Sequence, residues 1–220
     1  FYDHGEEHKD PNVVIKENLL DDEDRYVEIW NLVFMQYEKY KENGEVKRRD
    51  LPNPCIDTGC GLERLAAVVQ GKYNNFDTDV FQNIIKQLEK ITGKSYSDKE
   101  YTTSFRVVAD HIRSSTMLIT DGVIPSNEGR GYVLRRIIRR AIRHLSVLGI
   151  EKPILADLVD TVFADLGEEY VENASNKAMA IKFLKTEELS FRNTLSSGLS
   201  LLEKEMERLK AAKKDTLEGE

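Results

Sequence analysis

Hydrophobic and polar positions in the first third of the chain follow a pattern typical of strands and turns. Residues 27–37 are rich in β-branched and aromatic side chains, which predicts a strand that is buried on both faces in its middle. The tetrapeptide at 42–45, Glu-Asn-Gly-Glu, is a hairpin turn signal. Two prolines predict an extended loop over 51–54, because each disfavours helix at the residue before it. Residues 62–70 then predict a helix that Gly71 ends.

Beyond Asp77 the apolar side chains recur every three or four residues, which predicts a series of amphipathic helices. The predicted helices span 77–92, 104–120, 131–148, a segment from Pro153 to Gly167, and a long last helix through Leu209. The apolar stripe of the last helix is suited to packing on a neighbour as a coiled-coil-like arm, although Gly198 inside it costs about 1 kcal/mol relative to alanine. The pattern predicts an α+β chain whose second part is helical.

The composition excludes two classes of protein. With 40% hydrophobic residues, the 220-residue chain can fill a core, so it is not globally disordered. No apolar run approaches the roughly 18 residues that a membrane helix needs. The chain begins at Phe1 with neither a methionine nor a signal-peptide pattern, and we expect it to be a fragment of a longer protein.

The two cysteines, Cys55 and Cys60, are too few for a disulfide framework, and we expect a reduced, cytoplasmic setting. A zinc site on these two residues needs further ligands. The histidines with suitable spacing, His4 and His8, lie in an acidic terminus, so we expect no metal site in this chain.

The net charge of −7 conceals an uneven distribution. Residues 1–28 contain three basic and ten acidic side chains, which alone give −7, whereas residues 129–150 contain six arginines and no acid. The average charge therefore argues against a nucleic-acid binder, but the local charge of this segment does not.

The arginines of this segment fall into two adjacent rows when it is drawn as a helix. Arg135, Arg139 and Arg143 form one row, and Arg136, Arg140 and His144 form the other. The predicted buried side consists of Leu134, Ile138, Ala141 and Leu145, widened by Ile137 and Ile142. Like charges four residues apart repel, and nucleic-acid phosphates relieve that repulsion. The alternative is that the arginines pair with carboxylates of this chain, which suits their planar side chains equally well.

Asn127 lies just before this predicted helix. Its side chain is suited to capping the helix, which is the favoured interpretation. The same amide also both donates and accepts hydrogen bonds, as reading a base edge requires.

A second candidate site is the segment 57–65, Asp-Thr-Gly-Cys-Gly-Leu-Glu-Arg-Leu. It places the Asp57 carboxylate at a strand end, Gly59 and Gly61 at a predicted turn, and Arg64 one turn into the next helix. Such a turn lets a ligand approach the backbone, with the carboxylate for an ammonium group and the arginine for a phosphate. The alternative is a simple strand, turn and helix with Arg64 in a salt bridge.

Asp-Thr-Gly also opens the active site of aspartic proteases. Those enzymes need two carboxylates that share a proton, and no second Asp-Thr-Gly or Asp-Ser-Gly occurs in this chain. We therefore expect no protease activity.

Taken together, these segments resemble alanyl-tRNA synthetases. The Gly-Leu-Glu-Arg sequence at 61–64 matches only the general third motif of class II synthetases, whereas the stretches 106–113 and 121–144 together are far more specific. The matching stretches are 1–5, 28–36, 57–70, 106–113 and 121–144.

The resemblance implies that residues 1–71 are the last part of a class II aminoacylation domain, built on an antiparallel sheet. Residues 72–220 are then the start of a helical tRNA-recognition domain. The family activates alanine with ATP and Mg²⁺ and esterifies it onto tRNA(Ala), so the implied partners are alanine, ATP and the acceptor stem.

The resemblance also implies a role for particular residues. Asp57 binds the alanine ammonium group, and Asn31, Val33 and Gly59 line its pocket. Gly61 and Arg64 bind ATP, and Arg64 is the catalytic arginine. Asn127 reads the G·U pair of the acceptor stem from the minor groove, which suits an A-form helix. The arginines that the resemblance places along the backbone of the acceptor stem are Arg130, Arg135, Arg136, Arg139 and Arg140.

The family's other parts are implied to lie outside this chain. The first and second class II motifs precede Phe1, and an aspartate that acts with the Asn127 position follows Glu220. The editing domain with its zinc site and the oligomerisation domain are also outside. Cys60 stands where the family often has methionine. We expect the isolated chain to be inactive. The alternative function is a non-catalytic helical RNA- or DNA-binding module, in which Asp57 has no role.

Overall fold

A computed structural model describes residues 1–13, 19–166, 176–211, 214 and 216. The chain divides into two compact units, residues 1–78 and residues 79–220, called here the N-terminal unit and the helical unit. Strands occur in the first and helices dominate the second, which confirms the predicted α+β class. The functional domains at 1–71 and 72–220 remain predictions.

A long antiparallel hairpin dominates the N-terminal unit. Strand β3 (Trp30–Glu42) pairs with strand β4 (Glu45–Cys60). The hairpin turn is confirmed, because Asn43 and Gly44 have φ values of 51° and 85°, the positive range that a tight hairpin turn requires. The predicted loop at 51–54 is instead part of β4, where the pairing is interrupted between Met35 and Tyr37. The prolines cannot donate to the ladder, so the strand continues through an irregularity.

The prediction that the middle of the first long strand is buried on both faces is wrong. Trp30 is 55% exposed and Phe34 is 66% exposed. Among the described strands β3 pairs with β4 alone, and a two-stranded hairpin has no second layer to cover its apolar faces.

The N-terminal unit also contains shorter elements. Strand β1 (Tyr2–Asp3) pairs with β2 (Tyr26–Val27), and helix α1 spans Leu62–Val69. Gly71 follows α1 with a φ of 62°, which confirms the predicted helix stop. The predicted turn of two glycines is wrong in one respect: Gly59 lies within β4, and only Gly61 leads into α1.

The described part of the helical unit contains five α-helices: α2 (Asp79–Thr92), α3 (Lys99–Thr120), α4 (Gly129–Val147), α5 (Val159–Leu166) and α6 (Lys177–Ala211). Helix α3 begins five residues before the predicted start, because the Asp98 side chain accepts a hydrogen bond from the Glu100 amide at 3.0 Å and caps it. Pro153 does not start a helix; a 3₁₀ turn at Leu155–Leu158 precedes α5. Gly167, its predicted stop, lies outside the described residues.

The core of the helical unit forms mainly where α3 packs against α4. Phe105, Val108 and Ile112 of α3 are buried there, and the predicted buried side of α4 is confirmed at Leu134, Ile138, Ala141, Ile142 and Leu145. Ile137 is only partly buried. This packing fixes which side of α4 faces outward. Within the described residues, no helix is long and apolar enough to cross a membrane.

Candidate functional site

Four of the predicted site residues meet on one face of the β3–β4 hairpin. Asn31 pairs with Gly59 and Val33 pairs with Asp57, and these two cross-strand pairs are two residues apart. Directly paired residues, and residues two apart on one strand, point to the same side of a sheet. The register therefore gathers an amide, an apolar side chain, a carboxylate and a bare backbone into one patch, called here the hairpin patch.

The hairpin patch is open and carries an exposed carboxylate. Among the residues that the structure describes, Asp57 Oδ1 accepts a hydrogen bond only from the adjacent Thr58 amide, at 2.9 Å. A Cβ on Gly59 would have nothing within 4 Å, so space remains above the backbone beside Asp57. A carboxylate with spare acceptor positions next to such a space is suited to binding an ammonium group.

Arg64 lies in the first turn of α1 and folds back on the chain. Its Nη1 donates a hydrogen bond to the Glu28 carbonyl oxygen at 2.7 Å. Gly61 permits this path, because a Cβ there would lie 3.3 Å from Arg64 Cδ. Among the described residues Arg64 forms no salt bridge, so the alternative of a salt-bridged Arg64 is wrong there.

Arg64 lines one side of a depression of about 660 Å³ in the N-terminal unit. Its lining combines that guanidinium with two aromatic rings and two carboxylates; the members are Phe1, Leu20, Glu23, Tyr26, Val27, Glu28 and Arg64. A cation for phosphate, flat rings for a base and carboxylates that suit a phosphate-bound Mg²⁺ all fit a nucleotide.

The histidines considered as metal ligands are engaged in an aromatic cluster. The His8 ring stacks on Tyr73 with 4.1 Å between ring centroids, and His4 packs edge-on against the same tyrosine. Burial, followed by the charge of His8, lowers the pKa of His4. No group of three or more His, Cys, Asp or Glu side chains suited to a metal occurs in the part of the chain that the structure describes.

In the helical unit, one row of α4 arginines pairs with a carboxylate from α6. Glu187, which is 6% exposed, accepts hydrogen bonds from Arg135 Nε at 3.1 Å and from Arg139 Nε at 2.8 Å. Internal pairing is therefore the correct interpretation for these two arginines. Arg139 also lies over the Phe191 ring, 5.0 Å from its centroid.

The other α4 arginines face outward. Arg136, Arg140 and Arg143 are exposed, and Arg130 is exposed in the first turn. A depression of about 480 Å³ lies beside them, called here the basic depression; its lining is His111, Val133, Arg136, Ile137, Arg139, Arg140 and Arg143. This surface offers several guanidinium donors to an anion.

The favoured interpretation of Asn127 as a helix cap is wrong. The residue before α4 is Glu128, and it makes no side-chain capping bond. Asn127 is exposed, and its Oδ1 accepts a hydrogen bond from Arg135 Nη1. Arg135 thus joins Glu187 to Asn127 and holds the carboxamide with its nitrogen available to another acceptor.

Gly131 brings the loop that carries Asn127 close to α4. A Cβ at this position would lie 2.3 Å from both the Ile124 carbonyl oxygen and Ser126 Oγ, so only glycine fits. Sequence reasoning did not assign roles to Gly131, Glu187 or His111. The local sequence carries no signal for Glu187, since its partners lie about fifty residues earlier.

Comparisons with known proteins point in one direction. Residues 1–220 match the family described as tRNA synthetases class II (A). A relative from Anaeromyxobacter sp. (strain Fw109-5), named alanine–tRNA ligase, is 54% identical over 187 residues, which are 84% of this chain and 20% of the relative. A relative of the same name from Streptococcus thermophilus (strain LMD-9) is 46% identical over 100% of this chain and 25% of the relative. Another, from Myxococcus xanthus (strain DK1622), is 50% identical over 90% of this chain and 22% of the relative. The chain thus spans about a fifth to a quarter of the length of these relatives.

Proposed function

The chain belongs to the class II (A) family of tRNA synthetases, and from that premise we propose that it is part of a cytoplasmic alanine–tRNA ligase. The observation that carries the proposal is the 46–54% identity to ligases of this one specificity, over 84–100% of the chain. The N-terminal unit contributes to the activation of alanine with ATP and Mg²⁺. The helical unit binds the acceptor stem of tRNA(Ala).

The hairpin patch supports the binding of alanine. The Asp57 carboxylate accepts hydrogen bonds from the substrate ammonium group, and Val33 provides an apolar contact for its methyl group. Gly59 leaves space for the substrate, and the Asn31 amide lies beside it. Fixing the amino group at Asp57 orients the alanine carboxylate for attack on a phosphate.

Arg64 supports the binding of ATP. Its guanidinium is anchored by the Glu28 carbonyl group and carries no ion pair among the described residues, so it is available to phosphate oxygens. Gly61 keeps the approach to Arg64 unobstructed. A fixed cation at this place stabilises the charge that develops on the attacked phosphate, which makes Arg64 the catalytic residue. Mg²⁺, carried by the ATP phosphates, adds charge neutralisation when bound.

The outward arginines of α4 support the binding of RNA. Arg130, Arg136 and Arg140 provide exposed cations to phosphates. Arg135 and Arg139 carry two positive charges against the single negative charge of Glu187, so one positive charge of this group remains for the RNA. Asn127, oriented by Arg135, offers an amide nitrogen and has the chemistry to read the G·U pair in the shallow minor groove.

Binding of RNA hairpins tests the role of the helical unit. The chain is expected to bind a hairpin with the tRNA(Ala) acceptor-stem sequence more tightly with G·U than with G·C, as fluorescence anisotropy measures. Asn127→Ala is expected to narrow that preference, and Asn193→Ala, which alters an exposed asparagine on α6, is expected to preserve it. A preference unchanged in Asn127→Ala contradicts the assigned role.

Alanine activation tests the N-terminal unit and separates the ligase from a non-catalytic binding module. In a chimaera, this chain replaces the matching segment of the Streptococcus thermophilus ligase, and alanine-dependent ATP–pyrophosphate exchange is measured. Asp57→Ala is expected to abolish exchange, whereas Asp50→Ala, on the same strand but outside the hairpin patch, is expected to preserve it. Full exchange with Asp57→Ala supports the binding module instead. The isolated chain is expected to be inactive.

A further inference from the structure

The basic depression contains one side chain that is not a cation or a hydrocarbon. His111 lies on α3, opposite the arginines of α4, and lines the depression together with Val133 and Ile137. Arginine only donates hydrogen bonds, so every polar contact that α4 offers here needs an acceptor on the ligand. The His111 ring is the exception, because in a neutral imidazole one ring nitrogen donates a hydrogen bond and the other accepts one.

A neighbouring carboxylate fixes the ring's protonation pattern. His111 Nδ1 lies 2.8 Å from Asp110 Oδ2. The hydrogen bond from His111, followed by the charges of His111, Arg113 and Arg140, outweighs the effect of burial and holds the pKa of Asp110 below its usual range, so this carboxylate is ionised and only accepts. Nδ1 must therefore carry a proton. In the neutral ring the other nitrogen, Nε2, is then an acceptor.

The His111 side chain lines the depression with 13% of its surface exposed, and no residue in the described part of the chain forms a hydrogen bond with its Nε2. An acceptor set among guanidinium donors requires a ligand that carries anionic oxygens and, close beside them, a hydroxyl donor. The RNA backbone has this combination, since each ribose 2′-hydroxyl lies next to phosphates along the shallow groove. DNA has the phosphates and lacks the hydroxyl.

We propose that His111 Nε2 accepts a hydrogen bond from a ribose 2′-hydroxyl while Arg136 and Arg140 bind the adjacent backbone phosphates. The inference rests on the proposed function, because it assumes that RNA lies along α4. It assigns to His111 the discrimination between RNA and DNA at one nucleotide.

A set of hairpins with single 2′-deoxy substitutions tests this assignment. One substitution is expected to weaken binding of the unchanged protein about fivefold, as the loss of one hydrogen bond predicts. His111→Asn retains an amide that can reach Asp110 but lacks an acceptor at the Nε2 position. It is expected to bind the all-RNA hairpin about fivefold more weakly and to be insensitive to that same substitution.

Two further variants complete the comparison. His111→Gln, whose longer side chain places an amide oxygen near the Nε2 position, is expected to restore part of the sensitivity. Lys185→Gln removes an exposed cation of α6 outside the depression and is expected to leave the sensitivity to 2′-deoxy substitution unchanged. Because each variant is compared across hairpins, a uniform loss of stability cancels from the result.

Two outcomes overturn the inference. If His111→Asn weakens binding of every hairpin by the same factor, the ring contacts a phosphate or supports the fold and does not read a hydroxyl. If the unchanged protein prefers G·U hairpins but responds to no 2′-deoxy substitution, the inference fails and the proposed function stands. If the unchanged protein binds no hairpin, the proposed function itself fails.

Discussion

The buried Glu187 carboxylate accepts hydrogen bonds from the Nε atoms of both Arg135 and Arg139, which lie one helical turn apart on α4. One negative charge thus relieves the repulsion between two guanidiniums that the helix sequence places side by side. The pairing divides the arginines of α4 into those that join the helix to α6 and those that face outward, Arg130, Arg136, Arg140 and Arg143.

Removing the Glu187 charge is expected to weaken the helical unit. Glu187→Gln leaves two guanidiniums without an anionic partner and should lower the free energy of unfolding by about 1–3 kcal/mol. Urea denaturation measures the change. Glu205→Gln, which breaks an exposed pair with Arg208, is the matched control and should change stability by less than about 0.5 kcal/mol. Equal effects of the two variants would show that burial of Glu187 is irrelevant.

Two glycine substitutions are expected to act in opposite directions. Gly131→Ala forces a methyl group to within 2.3 Å of the Ile124 carbonyl oxygen and should destabilise the unit by about 1–3 kcal/mol. Gly198→Ala, in the interior of α6 with nothing within 4 Å, should stabilise it by about 0.5–1 kcal/mol. Thermal unfolding of both variants measures whether each substitution raises or lowers the stability of the helical unit. Stabilisation by Gly131→Ala would contradict the close approach of the loop to α4.

The dependence of stability on pH should reveal Glu188. This fully buried carboxylate accepts hydrogen bonds from the Ile154 and Leu155 amides, yet burial raises its pKa above the ordinary value of 4.5. The folded state therefore holds the proton more tightly than the unfolded state. Its contribution to stability is present in full below pH 4.5 and is lost as the pH rises through the raised pKa.

Comparison with Glu188→Gln isolates this contribution. The difference in unfolding free energy, wild type minus variant, should decrease as the pH rises above 4.5, as urea titrations at several pH values measure. An increase of that difference with pH would mean that the Arg192 partner outweighs burial.

The outward arginines should control the salt dependence of RNA binding. Arg140→Gln removes one exposed cation and should reduce the slope of log affinity against log salt concentration by about 1. Lys182→Gln, which removes an exposed cation of α6 outside the basic depression, should leave the slope unchanged. Hairpin titrations at several salt concentrations measure both slopes, and an unaltered slope for Arg140→Gln argues against a phosphate contact.

The register of the hairpin was only partly predictable. The Asn43-Gly44 signal placed its turn correctly, because positive φ at both positions is a local property of these residues. The pairing of Asn31 with Gly59 and of Val33 with Asp57 depends on the irregularity near residues 51–54. An extra residue in one strand shifts all later partners, and no local pattern reports how many residues are left unpaired.

Local sequence also could not assign the partners of α4. Its buried side followed from the spacing of Leu134, Ile138 and Leu145, since a helix of 3.6 residues per turn places them on one face. The capping role expected for Asn127 was wrong because α4 begins after Glu128, and because the Asn127 carboxamide is instead bound by Arg135, eight residues further along the chain.

The amino-acid sequence by itself determined the segments that form α2, α3, α4 and α6, the hairpin turn and the two charged segments, because periodicity and charge act between near neighbours. The tertiary structure alone decided which arginines pair with Glu187, which face outward, and that His111 lines the depression beside them. The physical reason is that a hydrogen bond or an ion pair between distant residues depends on where the fold brings their side chains, and short-range sequence patterns contain no such distances.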